Sequence, residues 1–240
     1  MSKSTQPPPS REKRRLPCEL LFILGILLVS FAITLYPKTQ VGIATLPLAA
    51  YVLNLAFPSL TYGTWNYVLQ CLMIVVMAIA LRKIKRSYLM SFIIAIIFGY
   101  LVDFFSFLLR GLVNTPVLNV LYYFMALSCH VVGLYTLLRC RLPVMPIDTL
   151  TREVSAHYAI SFKTVRTVTD VSLLILALAV GYFILGAFPG IGPGTVITSL
   201  FLGILAQRLT KCMDRYFYCE PVFSVTKKLM DPDDVKNHRG

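Results

Sequence analysis

Two carboxylates and one guanidinium stand out in a chain that otherwise keeps charge away from its apolar stretches. Asp103 lies six residues from one end of the apolar run 88–109, and Asp170 about one turn inside the run 166–187. Arg166 precedes Asp170 by four residues, a spacing that puts both on one helix face, where they can pair. An ionisable group at membrane depth costs roughly 2.5–3.5 kcal/mol on insertion scales, so it is expected to face a partner or a wet cavity. The chemistry open to such a set is the holding of a polar or cationic solute, or of protons. Bond-making chemistry has no support. No Ser/His/Asp or Cys/His nucleophile set and no cofactor fingerprint occurs, so neither enzymatic activity nor a cofactor is expected. His130 and His157 lack metal-ligand spacing, so no metal is expected either. His130 could relay protons, and a hydrogen bond to a neighbouring helix is its simpler role.

Other residues read more locally. Asp148 follows Pro146 closely, which suits a helix cap for residues 146–158, with ligand binding as the alternative. The run Gly190, Gly192, Gly194, Thr195 is not followed by the Lys-Ser/Thr of a phosphate loop. It predicts a tight turn and close helix contact, or backbone amides turned toward an anion. Asn54, Asn66 and Asn119 are expected to bond between helices.

The elements that must position these groups follow from hydropathy. The chain is 57 % hydrophobic and 14 % charged over 240 residues, too apolar for an ordinary soluble domain. Crossing a bilayer takes about 20 helical residues. Six segments qualify: 17–36, 62–81, 88–109, 115–138, 166–187 and 193–209. Residues 45–57 are apolar but too short, which makes them re-entrant or interfacial, and 146–158 reads as an amphipathic interfacial helix. Of 23 Lys and Arg, all but Lys38 and Arg110 then fall on one face, which the positive-inside bias assigns to the cytoplasm with both termini. This asymmetry also accounts for the net charge of +12 without nucleic acid. Residues 1–16 read as a disordered basic leader, 17–209 as the membrane domain and 210–240 as a cytoplasmic tail. The six cysteines read as small apolar residues in a reducing compartment.

An internal repeat organises the spans. Thr61-Tyr62-x-Thr64 matches Ser161-Phe162-x-Thr164, and Gly99 matches Gly203 after a four-residue insertion. Each half, 17–110 and 115–209, holds three spans and one short helix. Three is odd, so the halves run inverted, an arrangement typical of transporters with a site where the halves meet. The repeat equates Asp170 with Gln70 and Asp103 with Gln207, so the expected substrate path is Gln70, Asp103, Arg166, Asp170 and Gln207.

The run Pro146-Ile147-Asp148, then Ser161-Phe162, Arg166 and Asp170, then Gly190-Ile191-Gly192-Pro193-Gly194-Thr195 and Gly203 resembles the second half of YczE/YitT-type bacterial integral membrane proteins. The likeness covers residues 17–210 and is most specific over 146–203. Pro193 interrupts the Gly-x-Gly-Thr run usual there, and the first-half counterpart, Gly42 to Pro47, is degenerate. The resemblance implies a multi-pass bacterial plasma-membrane protein and no defined activity.

The function expected is a permease-like transporter of a small polar solute. The rivals are a membrane partner or regulator acting through 146–158 and 210–240, and the substrate-capturing subunit of a multi-part importer. Expected partners are the bilayer, a small solute, and a second copy or another membrane protein.

Overall fold

The computed structural model describes residues 14–82, 86–140, 145–213 and 217–220. Eight helices follow in order: α1 (Cys18–Thr39), α2 (Thr45–Ala56), α3 (Tyr62–Leu81), α4 (Arg86–Leu108), α5 (Pro116–Cys140), α6 (Pro146–Tyr158), α7 (Phe162–Val180) and α8 (Pro193–Met213). A wider π turn, Gly181–Leu185, prolongs α7. Two strands, β1 (Arg14–Pro17) and β2 (Phe217–Glu220), pair in parallel, with Leu16 opposite Cys219.

Among the described residues, five helices are long and apolar enough to cross a membrane: α1, α3, α4, α5 and α7 with its π turn. The helix α8, expected as a sixth span, runs for 21 residues but is not among them. Large apolar side chains crowd the outer surface, with Val117 79 % and Phe183 81 % exposed. Water would not tolerate such a surface, whereas lipid is its natural solvent. The described residues form an α-helical membrane protein with one short strand pair.

Local chemistry sets the boundaries. The Thr61 hydroxyl accepts from the Thr64 amide at 3.1 Å and caps α3, and Ser161 caps α7 through Thr164 in the same way at 3.3 Å. The matching Thr-x-x-Thr and Ser-x-x-Thr words are therefore two copies of one capping device. The Ser161 cap starts α7 four residues before the expected 166, so Arg166 sits a full turn inside it. In α6, Ile147 and Leu150 are buried while Arg152 is exposed, and the Tyr158 hydroxyl donates to Ala80 O at 2.7 Å.

At the centre α1 and α5 lie antiparallel. Cys18 meets Cys140 at one end, Gly25 meets Thr136, and Tyr36 meets His130 further along. Gly25 has no room for a side chain, because a Cβ there would sit 2.5 Å from Thr136 Oγ1. Small residues that let backbones approach are a main source of helix affinity in lipid. The short helices pack crosswise: α2 on α7, and α6 on α3. α1 also packs on α4, and α5 on α8.

Two expectations need correction. The segment Arg14–Pro17 is strand rather than disordered leader, although residues 1–13 lie outside the described residues. Cys18 is disulfide-bonded, whereas Cys71, Cys129 and Cys140 are the free thiols the composition led one to expect.

Candidate functional site: a charged cavity at the short helices

A cavity of about 240 Å³ opens where α2, α6 and α7 meet α1, α5 and α8. Apolar side chains such as Val29, Ile33, Leu134 and Leu202 make most of its wall. Its polar wall is Thr45, His130, Asp148, Arg166, Asp170, Thr198 and Ser199.

These groups form a chain of hydrogen bonds. The Thr45 hydroxyl, first residue of α2, donates to Asp170 Oδ1 at 3.0 Å. Arg166 Nε donates to Asp170 Oδ2 at 3.2 Å, one turn along α7. Arg166 Nη1 donates to Asp148 Oδ1 at 2.5 Å, on the first turn of α6. The chain thus ties the first turns of both short helices together through α7. One guanidinium serves two carboxylates and leaves the site a formal charge of −1. Asp148 is the most enclosed, with 14 % of its side chain exposed against 30 % for Asp170 and 34 % for Arg166. Taking such charges out of water is tolerated only when each is paired, and here each is.

Asp148 therefore does not cap α6. The cap position is Met145, with no side-chain cap bond, and Asp148, three residues on, binds Arg166 through Oδ1. The nearby amides of Asp148 and Thr149 already donate to Met145 O, which leaves the carboxylate to the guanidinium.

The other expected path residues divide. Arg166 and Asp170 line the cavity together. Asp103 does not: it accepts from the Thr61 hydroxyl at 2.5 Å and from the Gly63 amide at 2.7 Å, closing the N-terminus of α3. A carboxylate at a helix N-terminus is well placed for both the free amides and the dipole. Gln70 is wholly buried in α3 and off the cavity, and neither of its amide atoms has a partner among the described residues. Asp103 and Gln70 thus do not pair. The Gln207 side chain lies outside the described residues.

The glycine run closes against another loop. Val41–Ile43 and Gly190–Thr195 pair through their backbones: the Ile43 amide donates to Gly190 O at 3.0 Å and the Gly194 amide to Val41 O at 2.9 Å. The Thr195 hydroxyl, buried, accepts from the amides of Ile43 and Gly192 at 3.2 and 3.3 Å. Gly42 is required there, with φ of +148° and a Cβ that would lie 2.3 Å from the Thr195 amide nitrogen. These amides donate to carbonyls of the paired loops and to the Thr195 hydroxyl oxygen rather than turning toward an anion. The Tyr123 hydroxyl fastens the turn to α5 by donating to Gly194 O at 2.8 Å.

His130 holds the expected neighbour-helix contact, with Tyr36 Oη of α1 3.4 Å from its Nδ1. Asn54 and Asn66 instead bond backbone within their own neighbourhoods, to Leu60 O and Tyr62 O. Sequence reasoning missed Thr45 and Ser199, single hydroxyls that carry no pattern. Asp148 was singled out in the sequence, but as a helix cap, with ligand binding as the alternative.

Fold and site together define an α-helical membrane protein with a small charged cavity enclosed by its helices. The chain belongs to the DUF6198 family, a family of unknown function, whose model matches residues 16–211. No curated protein and no solved structure matches the chain.

Proposed function

We propose that this protein is a permease-like transporter of the bacterial plasma membrane, and that the cavity around Arg166 receives the small polar solute it moves. The observation that carries the reading is the hydrogen-bonded chain Thr45–Asp170–Arg166–Asp148 inside a cavity of about 240 Å³. Charged groups kept within a bundle of apolar helices mark solute or ion pathways far more often than lipid-facing surface. A cavity below the usual 300–1,000 Å³ of ligand pockets suits a solute of few heavy atoms.

The proposal includes six spans. β1 precedes α1 and β2 follows α8, and their pairing brings the two ends of the membrane domain to one face. Ends on one face require an even number of crossings. The five apolar spans alone would be odd, so α8 serves as the sixth. The positive-inside bias puts that face in the cytoplasm.

The proposal also includes inverted halves, α1–α4 against α5–α8. Three features support it. Both halves follow the order long, short, long, long. The equivalent helices α1 and α5 run antiparallel, and each short helix packs on the third helix of the other half. The likeness of 146–203 to YczE/YitT-type proteins supports the bacterial plasma membrane as the location.

Asp170→Asn tests the reading. Uptake of a panel of small radiolabelled solutes into cells expressing the protein should be lost for the variant at unchanged membrane abundance. Lower abundance with unchanged uptake per molecule would make Asp170 structural and remove the reading's main support.

A further inference from the structure

We infer that the cavity takes a small monovalent organic cation bearing N–H donors, a primary ammonium or guanidinium compound; this rests on the solute-site reading above. The inference comes from what the wall still has to offer once its own bonds are made.

The internal bonds use the hydroxyl donors and leave oxygen acceptors. Thr45 spends its hydroxyl hydrogen on Asp170 and Ser199 spends its own on Thr195 O at 2.7 Å, so both oxygens keep only lone pairs for a guest. Asp148 Oδ2 has no partner among the described residues, its bond to Arg166 being made through Oδ1. Against these stand the spare N–H donors of Arg166, the second hydrogen on Nη1 and both on Nη2, which neither Asp148 nor Asp170 engages. His130, 8 % exposed, lines the cavity, and its Nε2 has no partner among the described residues.

The short helices would ordinarily supply amide donors at their N-termini. Here proline removes one from each first turn: Pro47, itself in the cavity wall, and Pro146. In α6 the Asp148 and Thr149 amides already donate to Met145 O. An anion would meet the spare edge of one guanidinium, but flanked by two carboxylates that repel it. A protonated amine or guanidinium would find a site with a formal charge of −1 and several acceptors, and could share the carboxylates with Arg166.

The test is direct binding to the full-length protein in detergent. Its unfolding midpoint is followed at millimolar ethylammonium, methylguanidinium, tetramethylammonium and acetate. Saturable upward shifts with ethylammonium or methylguanidinium, and none with tetramethylammonium or acetate, support the inference. Tetramethylammonium carries the same charge without an N–H, so it isolates hydrogen bonding from charge. Equal shifts with all four salts, a shift with acetate alone, or no shift with any of them overturns it. Asp148→Asn should weaken cation binding about 30-fold or more, since it removes a charge partner. The comparison of salts uses the unaltered chain, so it stands even where a variant fails to fold, and Ser199→Ala gives a milder second variant. Cation binding without uptake into proteoliposomes keeps the ligand class and refutes transport. Uptake of an anion through the same protein keeps transport and refutes the class.

Discussion

The two arms of the Arg166 cluster should differ in strength, and a double-mutant cycle can read the difference. The perturbations are Arg166→Met, Asp148→Asn, Asp170→Asn and the two doubles that include Arg166→Met. Methionine keeps much of arginine's apolar stem and limits the void left behind. The Asp148 arm is a 2.5 Å contact on a side chain only 14 % exposed. Hydrogen bonds to charged groups in such settings contribute about 1.5–3 kcal/mol. The Asp170 arm is longer, 3.2 Å, twice as exposed and set at i, i+4 on one helix. Exposed helical pairs of that kind contribute about 0.3–0.5 kcal/mol. Arg166→Met alone should cost about 2 kcal/mol, below the 3–5 kcal/mol of a fully buried pair, because a third of Arg166 stays open to solvent. Unfolding by SDS titration in mixed micelles, followed by circular dichroism, gives the free energies. The coupling of Arg166 to Asp148 should exceed that to Asp170 at least threefold. Equal couplings, or a larger one for Asp170, would refute the claim that enclosure decides which carboxylate anchors the cluster.

Gly42→Ala should destabilise the protein by about 2 kcal/mol or more, through a strained backbone and a clash with Thr195, and lower folded yield in gel filtration. Asp103→Ala should cost about 1–2 kcal/mol by uncapping α3, yet leave solute uptake per folded molecule unchanged; lost uptake with normal stability would return Asp103 to the path. With the proposed topology, Arg82→Cys should resist an impermeant maleimide in intact cells and react after permeabilisation, while Arg110→Cys should react in both. The reverse pattern would overturn the orientation, and matching patterns at the two positions would overturn the crossing by α4.

The sequence carried the helices well because each was announced by more than one signal. The short elements α2 and α6 came within a residue of expectation, as apolar length excluded a crossing for the first and amphipathic pattern set the second. The start of α7 falls before the expected 166 because Lys163 and Thr164 hide the first turn from hydropathy, whereas the chain obeys the Ser161 cap. The cavity was half visible. The i, i+4 pair of Arg166 and Asp170 can be read from spacing alone, since both lie on one helix. Asp148 and Thr45 are 18 and 125 residues from their partners. Nothing local separates Asp148 the ion-pair partner from Asp148 the cap. Asp103 erred in the other direction: depth along a helix suggested a path, while a neighbouring helix end claimed the charge.

The contrast between Gln70 and Asp170 bears on how the proposed halves have diverged. In the proposed repeat these positions are equivalent, and each sits on the helix against which the other half's short helix packs. Asp170 has a guanidinium and a hydroxyl to satisfy it. Gln70 has neither, and Asn66, four residues earlier on the same face, leaves its Oδ1 bare as well. A buried amide without partners costs about 1–3 kcal/mol, a penalty that water can relieve only where several polar atoms converge. Gln70→Leu should therefore leave stability unchanged or raise it, because an apolar side chain of similar size removes the penalty. A loss of more than about 2 kcal/mol would mean that the α3 site holds ordered water or a ligand, making it a second polar site opposite the one at Arg166.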